Sequence, residues 1–238
     1  MLDKFKNSYM GKIVIFLLLL LGMLTFSSIP IVLFKLDVAS FPKLYKMIYL
    51  LTCDIIYMII IYVIYRKTIN KNFKDYFKKF SVNFEESFKY YFIGLLIMIG
   101  SNLIITFCFP QAVAGNEETL HEYIDNYPLY MIFSTVMYAP FIEEMIFRKS
   151  MKDIFLVKYN NKITKYLYIL SSGLIFGSLH VIGQVTSMYD LLFLIPYCSL
   201  GIAFAMLYYK SDNIFSTISI HFLNNLVSIM LYLMGGGM

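Results

Sequence analysis

Charge is what this sequence has least of. Only 15% of its 238 residues are Asp, Glu, Lys or Arg, against roughly 25% in an ordinary soluble domain. Hydrophobic residues make up 59%, and mean hydropathy is +0.69. Those proportions exclude a water-soluble fold and describe a polytopic membrane protein. Cysteine is scarce too: Cys53, Cys108 and Cys198 lie in apolar runs without CxxC spacing, which indicates neither a disulfide framework nor a zinc knuckle. No internal repeat, low-complexity tract or Gly/Ser/Pro-rich linker divides the chain, so one compact membrane domain is expected. The net charge of +5 gathers between the apolar runs instead of on one face, which excludes nucleic acid as a partner.

What is present is a series of apolar runs at residues 13–34, 47–65, 90–109, 128–147, 166–185, 191–209 and 214–234. Each is about as long as a helix needs to cross a bilayer, so the expected fold is an all-α transmembrane bundle of about seven spans. The first run lacks a small-residue cleavage site and is read as a retained helix. Residues 1–127 would hold the first three spans, a basic segment at 66–89 and an acidic loop at 111–127; residues 128–238 would hold spans four to seven. The basic segment carries Phe73, Tyr76, Phe77 and Phe80, a pattern for an amphipathic surface helix in contact with anionic lipid. The acidic loop carries Glu117, Glu118, Glu122 and Asp125 and no Lys or Arg. With the N-terminus in the cytoplasm, 17 of the 20 Lys and Arg face that side and three face outward, the orientation the positive-inside rule selects for a cell-membrane protein. The acidic loop is then outside.

One stretch breaks the apolar pattern: Pro140, Phe141, Ile142, Glu143, Glu144, Met145, Ile146, Phe147 and Arg148. A charge at the centre of a bilayer costs about 2.5–3.5 kcal/mol on the gentlest scales, so this cluster is the first candidate for function. The expected boundaries put it near the cytoplasmic end of span four, the side from which substrate would enter. In a helix Glu144 lies beneath Arg148 in the favourable acid-before-base order, while Glu143 is turned about 100° away. Glu144 is therefore expected to brace Arg148 and leave Glu143 free to face a cavity. Arginine occurs twice in a chain with 18 lysines, which suggests that a planar fork is needed here. Pro140 removes a backbone hydrogen bond just before the acids and can bend the helix.

Later spans supply partners. His180 follows Phe176 by four residues in span five, where Gly173 and Gly177 offer small surfaces for close helix approach. His221 and Asn225 share a face of span seven. A carboxylate, two imidazoles and an amide could meet in the core, as an enzyme site or as the proton relay of a small proton-coupled transporter. His121, in the acidic loop, reads as solvated. Asp54, Ser101 and Asn102 either line the cavity or serve packing.

Glu143-Glu144 with Arg148, Phe176 with His180, and His221 with Asn225 resemble the EExxxR, FxxxH and HxxxN motifs of the CPBP (CAAX protease and bacteriocin-processing, or Abi) intramembrane proteases. The likeness covers residues from about 128 to 234 and rests on three ordered motifs on three spans. It implies an intramembrane endopeptidase acting on a membrane-associated peptide or lipidated protein, such as a pheromone or bacteriocin precursor. It also admits a non-cleaving immunity or regulatory protein of the same family. Glu143 would be the general base, assisted by His180, and His221 with Asn225 would donate to the oxyanion. Glu143, His180 and His221 would equally suit a zinc ion with an open position for water; there is no HExxH spacing, and the choice stays open. One expectation conflicts with the rest: straight spans put Glu143 about 8 Å and His180 about 20 Å from the cytoplasmic face.

Overall fold

The computed structural model describes residues 8–156 and 161–235, and among these every regular element is helical. Lys4, Lys6 and Lys158, which entered the charge count, lie outside the described residues. Six helices are long and apolar enough to cross a membrane, or seven if one bent pair counts as a span. With apolar residues such as Leu18, Ile59, Ile93 and Leu167 turned outward along them, the chain is a multi-pass membrane protein.

The bent pair is α1 (Tyr9–Thr25) and α2 (Ser28–Phe34), which meet at 75°. A single straight helix over 13–34 was expected. Pro30 explains the break: it has no N–H to give the carbonyl four residues back, and it is tolerated in the first turn of α2. α3 (Lys43–Lys78) runs for 36 residues, about 54 Å. The basic segment is therefore not a separate surface helix over 66–89. Its first part continues α3, and its second part opens α4 (Phe80–Cys108) after a break at Lys79. The extension of α3 is anchored inward, because Asn72 Oδ1 accepts from the Ile214 amide at 3.0 Å and Asn213 Nδ2 donates to the Asn72 carbonyl at 2.9 Å.

The acidic segment is likewise not a loop. It forms α5 (Gly115–Asn126), with Glu117 and Glu118 in the first turn, where carboxylates complement the helix dipole. α6 (Pro128–Phe155) spans 28 residues and continues eight residues beyond the expected end at 147. Glu143 consequently lies near the middle of this helix and not near its end. The remaining spans are α7 (Lys162–Val181), α8 (Leu194–Ser211) and α9 (Ile214–Gly235). Two short 3₁₀ turns at 182–184 and 188–193 link α7 to α8. There the Asp190 carboxylate accepts from the amides of Val113, Thr186 and Ser187 at 2.7–2.9 Å, pinning the chain before α5 to this link.

The interior is built on α6 and α8. Ile142, Met145, Ile146 and Phe147 are almost wholly buried, among Tyr57 and Ile61 of α3, Tyr168 and Phe176 of α7, and Ala205 and Tyr208 of α8. The span that ends in α8 is the most enclosed of the six. It is gripped by α7, where a Cβ on Gly173 would stand 2.7 Å from the Ile202 amide nitrogen and one on Gly177 2.7 Å from that of Cys198. Small residues let two backbones approach where lipid supplies no hydrophobic drive between helices.

Gly177→Val should therefore force α7 and α8 apart. The expected result is a loss of about 1–3 kcal/mol, read as earlier thermal unfolding in detergent, with faster labelling of Cys198 by a maleimide. Gly100→Ala, where nothing lies within 4 Å of an added Cβ, should leave both readouts unchanged.

Candidate active site

The charged cluster opens into π-helical turns, at residues 134–138 and 144–150 within α6. Pro140 accounts for part of this. The Ala139 amide bonds to the Ser134 carbonyl, five residues back, so the Thr135 carbonyl would next look to residue 140, which is proline and has no N–H. Asn225 Nδ2 of α9 fills the gap, donating to the Thr135 carbonyl at 2.9 Å. Asn225 Oδ1 accepts from Asn224 Nδ2 at 3.1 Å, and Asn224 Oδ1 from the Tyr91 hydroxyl at 3.2 Å, tying α9 to both α6 and α4.

Glu144 and Arg148 pair as the spacing suggested: Arg148 Nε lies 3.0 Å from Glu144 Oε2, and both side chains are fully buried. That N–H is aimed off the oxygen, so the contact is an ion pair without a completed hydrogen bond. Arg148 is held from three further sides. Nη1 donates to the Ser172 hydroxyl at 3.0 Å, and the guanidinium carbon lies 4.8 Å from the Phe176 ring centre and 5.8 Å from that of Phe204. A flat cation between aromatic rings is a use that arginine serves and lysine does not. Ser172 in turn donates to the Phe147 carbonyl at 2.7 Å.

Glu144 has a second partner. Its Oε1 lies 3.0 Å from His221 Nδ1. A carboxylate paired with arginine accepts and does not donate, so the imidazole proton belongs on Nδ1 and Nε2 is left pointing away. On that side is Glu143, with Oε2 3.7 Å from Nε2, too long for a hydrogen bond. Glu143 Oε2 is buried and has no hydrogen-bond partner. The residues thus form a line from Arg148 through Glu144 and His221 to an unpaired carboxylate.

Glu143, His180, His221 and Asn225 all line one cavity of ≈ 500 Å³. Its far wall is α5, through Asn116, Glu117, Leu120 and His121. The cavity therefore runs from mid-membrane toward the acidic helix, not toward the basic ends of the spans where substrate entry was expected. The longer α6 also eases the conflict in depth: rod lengths now place Glu143 about 18 Å from the end of its span and His180 about 27 Å from the start of its own, an offset of about 9 Å. His180 Nδ1 faces the Phe176 carbonyl at 2.9 Å, and its ring stacks on Tyr197 at 5.2 Å. Phe176 stands between the two histidines, 4.5 Å from His180 and 5.8 Å from His221 by ring centres. Among the described residues no hydrogen bond joins His180 to Glu143. Nor do any three His, Cys, Asp or Glu side chains there form a group able to hold a metal ion, so Glu143, His180 and His221 are not gathered into a ligand set in this arrangement.

Against this geometry, residues 125–227 match the family model of type II CAAX prenyl endopeptidase Rce1-like proteins. That segment is therefore similar to the CAAX prenyl endopeptidases. The candidate membrane peptidase YdiL of Bacillus subtilis (strain 168) is 26% identical to the chain, over 80% of its length and 72% of the relative's. No solved structure matches. The matched segment holds all three motifs, while Asp54 and Ser101 lie outside the cavity wall and Asn102 lies on it. Ser172, Phe204, Asn224 and Tyr91 were missed from sequence. Ser172 alone carried a signal, being four residues before Phe176 on the face that ends in His180.

Arg148→Met should strand the Glu144 carboxylate and cost about 3–5 kcal/mol, read as thermal unfolding in detergent. Arg148→Lys should recover less than half of that, because an ammonium cannot fill the space between Phe176 and Phe204 as a planar cation does.

Proposed function

We propose that this chain is an intramembrane endopeptidase in which Glu143 activates water against a peptide bond. The observation that carries the proposal is the unpaired, buried Glu143 carboxylate oxygen beside His221 Nε2, on the wall of a cavity large enough for several residues of an extended peptide. A carboxylate without a fixed partner can accept a proton as a general base, and proton transfer of this kind contributes typically about 10²–10⁴-fold.

In the proposed reaction, Glu143 takes a proton from water as the water oxygen bonds to the scissile carbonyl carbon. His221, fixed by Glu144, presents Nε2 to the same space, and the Asn225 amide keeps one N–H beyond the one given to Thr135. The Asn225 N–H is the donor that would meet the oxyanion, while His221 Nε2, which carries no proton, would accept a hydrogen bond from the attacking water; each is preorganised by a bond to the scaffold. His180, held by Phe176 and Tyr197, lines the path one turn farther along and orients the peptide or shares the water. As the C–N bond breaks, the proton on Glu143 passes to the departing nitrogen, which leaves as an amine, and the second water proton stays on the new carboxyl group.

The substrate class that goes with the site is a membrane-associated peptide or lipidated protein, a peptide pheromone or bacteriocin precursor among them. Residues 128–238 would supply the chemistry and residues 1–127 the surrounding spans, with the N-terminus in the cytoplasm. In that orientation α5 and the cavity mouth face outward. Exposed Phe73, Phe77 and Phe80 with the lysines around them would meet anionic lipid on the inner side.

The test is a set of purified variants in bilayer nanodiscs, incubated with the peptide fraction that accumulates in cells lacking the protein and followed by mass spectrometry. Glu143→Gln should lower the cleavage rate by at least about 10²-fold with thermal unfolding unchanged. His221→Ala should lower the rate as far and also bring thermal unfolding earlier, because the buried Glu144 carboxylate loses a partner. Full activity in Glu143→Gln would remove Glu143 as the base.

A further inference from the structure

The outer half of the cavity has a character of its own. Glu117 lines both the cavity above Glu143 and an adjoining hollow of ≈ 370 Å³, and Asn102 and His121 do likewise. No lysine or arginine lines either space. Asn102 lies within the apolar span α4, and its Oδ1 is buried without a hydrogen-bond partner. An amide oxygen left bare in such surroundings costs about 1–3 kcal/mol, a cost that an incoming donor would relieve. The third feature is aromatic. The His121 and Tyr232 rings stack at 3.9 Å with 9° between their planes, both line the cavity, and the Tyr232 hydroxyl holds the pair by donating to Asp125 at 2.9 Å.

A carboxylate, an unsatisfied carbonyl-type oxygen and an aromatic wall have one ligand in common. Each favours a cation that also donates hydrogen bonds. Glu117 is exposed at the rim, yet crowding by the neighbouring helices raises its carboxyl above the ordinary value, with His121 opposing that shift. A cation seated beside it would restore the stabilisation that crowding removes. The titratable groups sharing these spaces with Glu117 are Glu118, His121, Glu143, His180, Tyr197, His221 and Tyr232; none is a permanent cation. Farther along α5, Glu122 and Asp125 add to a negative field over the mouth.

We propose that Glu117, Asn102 and the His121–Tyr232 pair form a subsite for a lysine, an arginine or a terminal ammonium of the peptide that reaches Glu143. This rests on the proteolytic reading of the cavity and adds to it a charge class for the substrate. A peptide would enter with its cationic residue held at α5 and its scissile bond deeper, toward His221.

The experiment uses the full chain carrying Glu143→Ala, in nanodiscs of zwitterionic lipid, titrated with two fluorescent N-acetylated peptide amides that differ only in having lysine or glutamine at matched positions. The lysine peptide should bind about tenfold more tightly than its glutamine twin. In Glu117→Gln the ratio should fall to near one, in Asn102→Leu it should fall part-way, and in Glu118→Gln it should persist. Thermal unfolding of each variant confirms an intact fold. Equal binding of the two peptides, binding of neither, or a ratio that survives Glu117→Gln would overturn the subsite. Cleavage by the chain with Glu143 intact is scored separately. Lysine discrimination without cleavage would leave the subsite standing and remove the proteolytic reading; cleavage without discrimination would do the reverse.

Discussion

The bond on which the rest of this structure depends is the one between Glu144 and His221. It is made at 3.0 Å between two side chains that are almost completely buried, and it joins α6 to α9 across the middle of the bundle. Glu144 is able to hold it as a carboxylate only because Arg148 sits beside it, and Arg148 tolerates burial only because Ser172, Phe176 and Phe204 surround it. Removing one member leaves an uncompensated charge in a medium that cannot solvate it, which is why the whole set is present or none of it can be. The outcome deep in the cavity is a buried carboxylate oxygen without a hydrogen-bond partner, that of Glu143, next to an imidazole whose orientation is fixed.

Helix geometry serves this arrangement. α6 does not run as a regular α-helix through the site, widening into π turns on either side of residues 139–143, while the turn of about 100° between consecutive residues puts Glu144 into the core and Glu143 onto the cavity. Widened turns leave backbone groups without partners, and one of these is met by Asn225, so the same residue that faces the cavity also repairs the helix. Close packing of α7 on α8 through Gly173 and Gly177 sets the position of Phe176, the ring that both covers Arg148 and separates the two histidines. Packing, backbone repair and site geometry are therefore one problem in this protein.

Much of that was readable from residue order. The bundle of spans followed from long uncharged runs, and the pairing of Glu144 with Arg148 and the release of Glu143 followed from helical spacing. The convergence of α6, α7 and α9 followed from three short motifs. What could not be read had physical causes. No residue pattern marks a π turn, so a shared face four residues apart was assumed where the turn is wider. The span end was placed at the first charge, although Arg148, Lys149 and Lys152 are accommodated by partners within the helix and its neighbours and the helix continues to Phe155. The acidic segment lacked apolar periodicity and was read as a loop, whereas its helix is held from outside, through Asn116 with Tyr197 and Asp125 with Tyr232. The second partner of Glu144 was invisible because it comes from a residue 77 positions away.

The central claim is that Glu144 fixes the His221 ring with its proton on Nδ1 and so turns Nε2 toward Glu143. Nitrogen-15 NMR of the chain labelled at histidine, in bilayers, reads this directly, since only His121, His180 and His221 contribute and each is assigned by its own substitution. The account predicts that Nδ1 of His221 is protonated and that this signature becomes a mixture of tautomers in Glu144→Gln. A His221 that carries its only proton on Nε2, or one whose signals do not change when Glu144 is replaced, would contradict it.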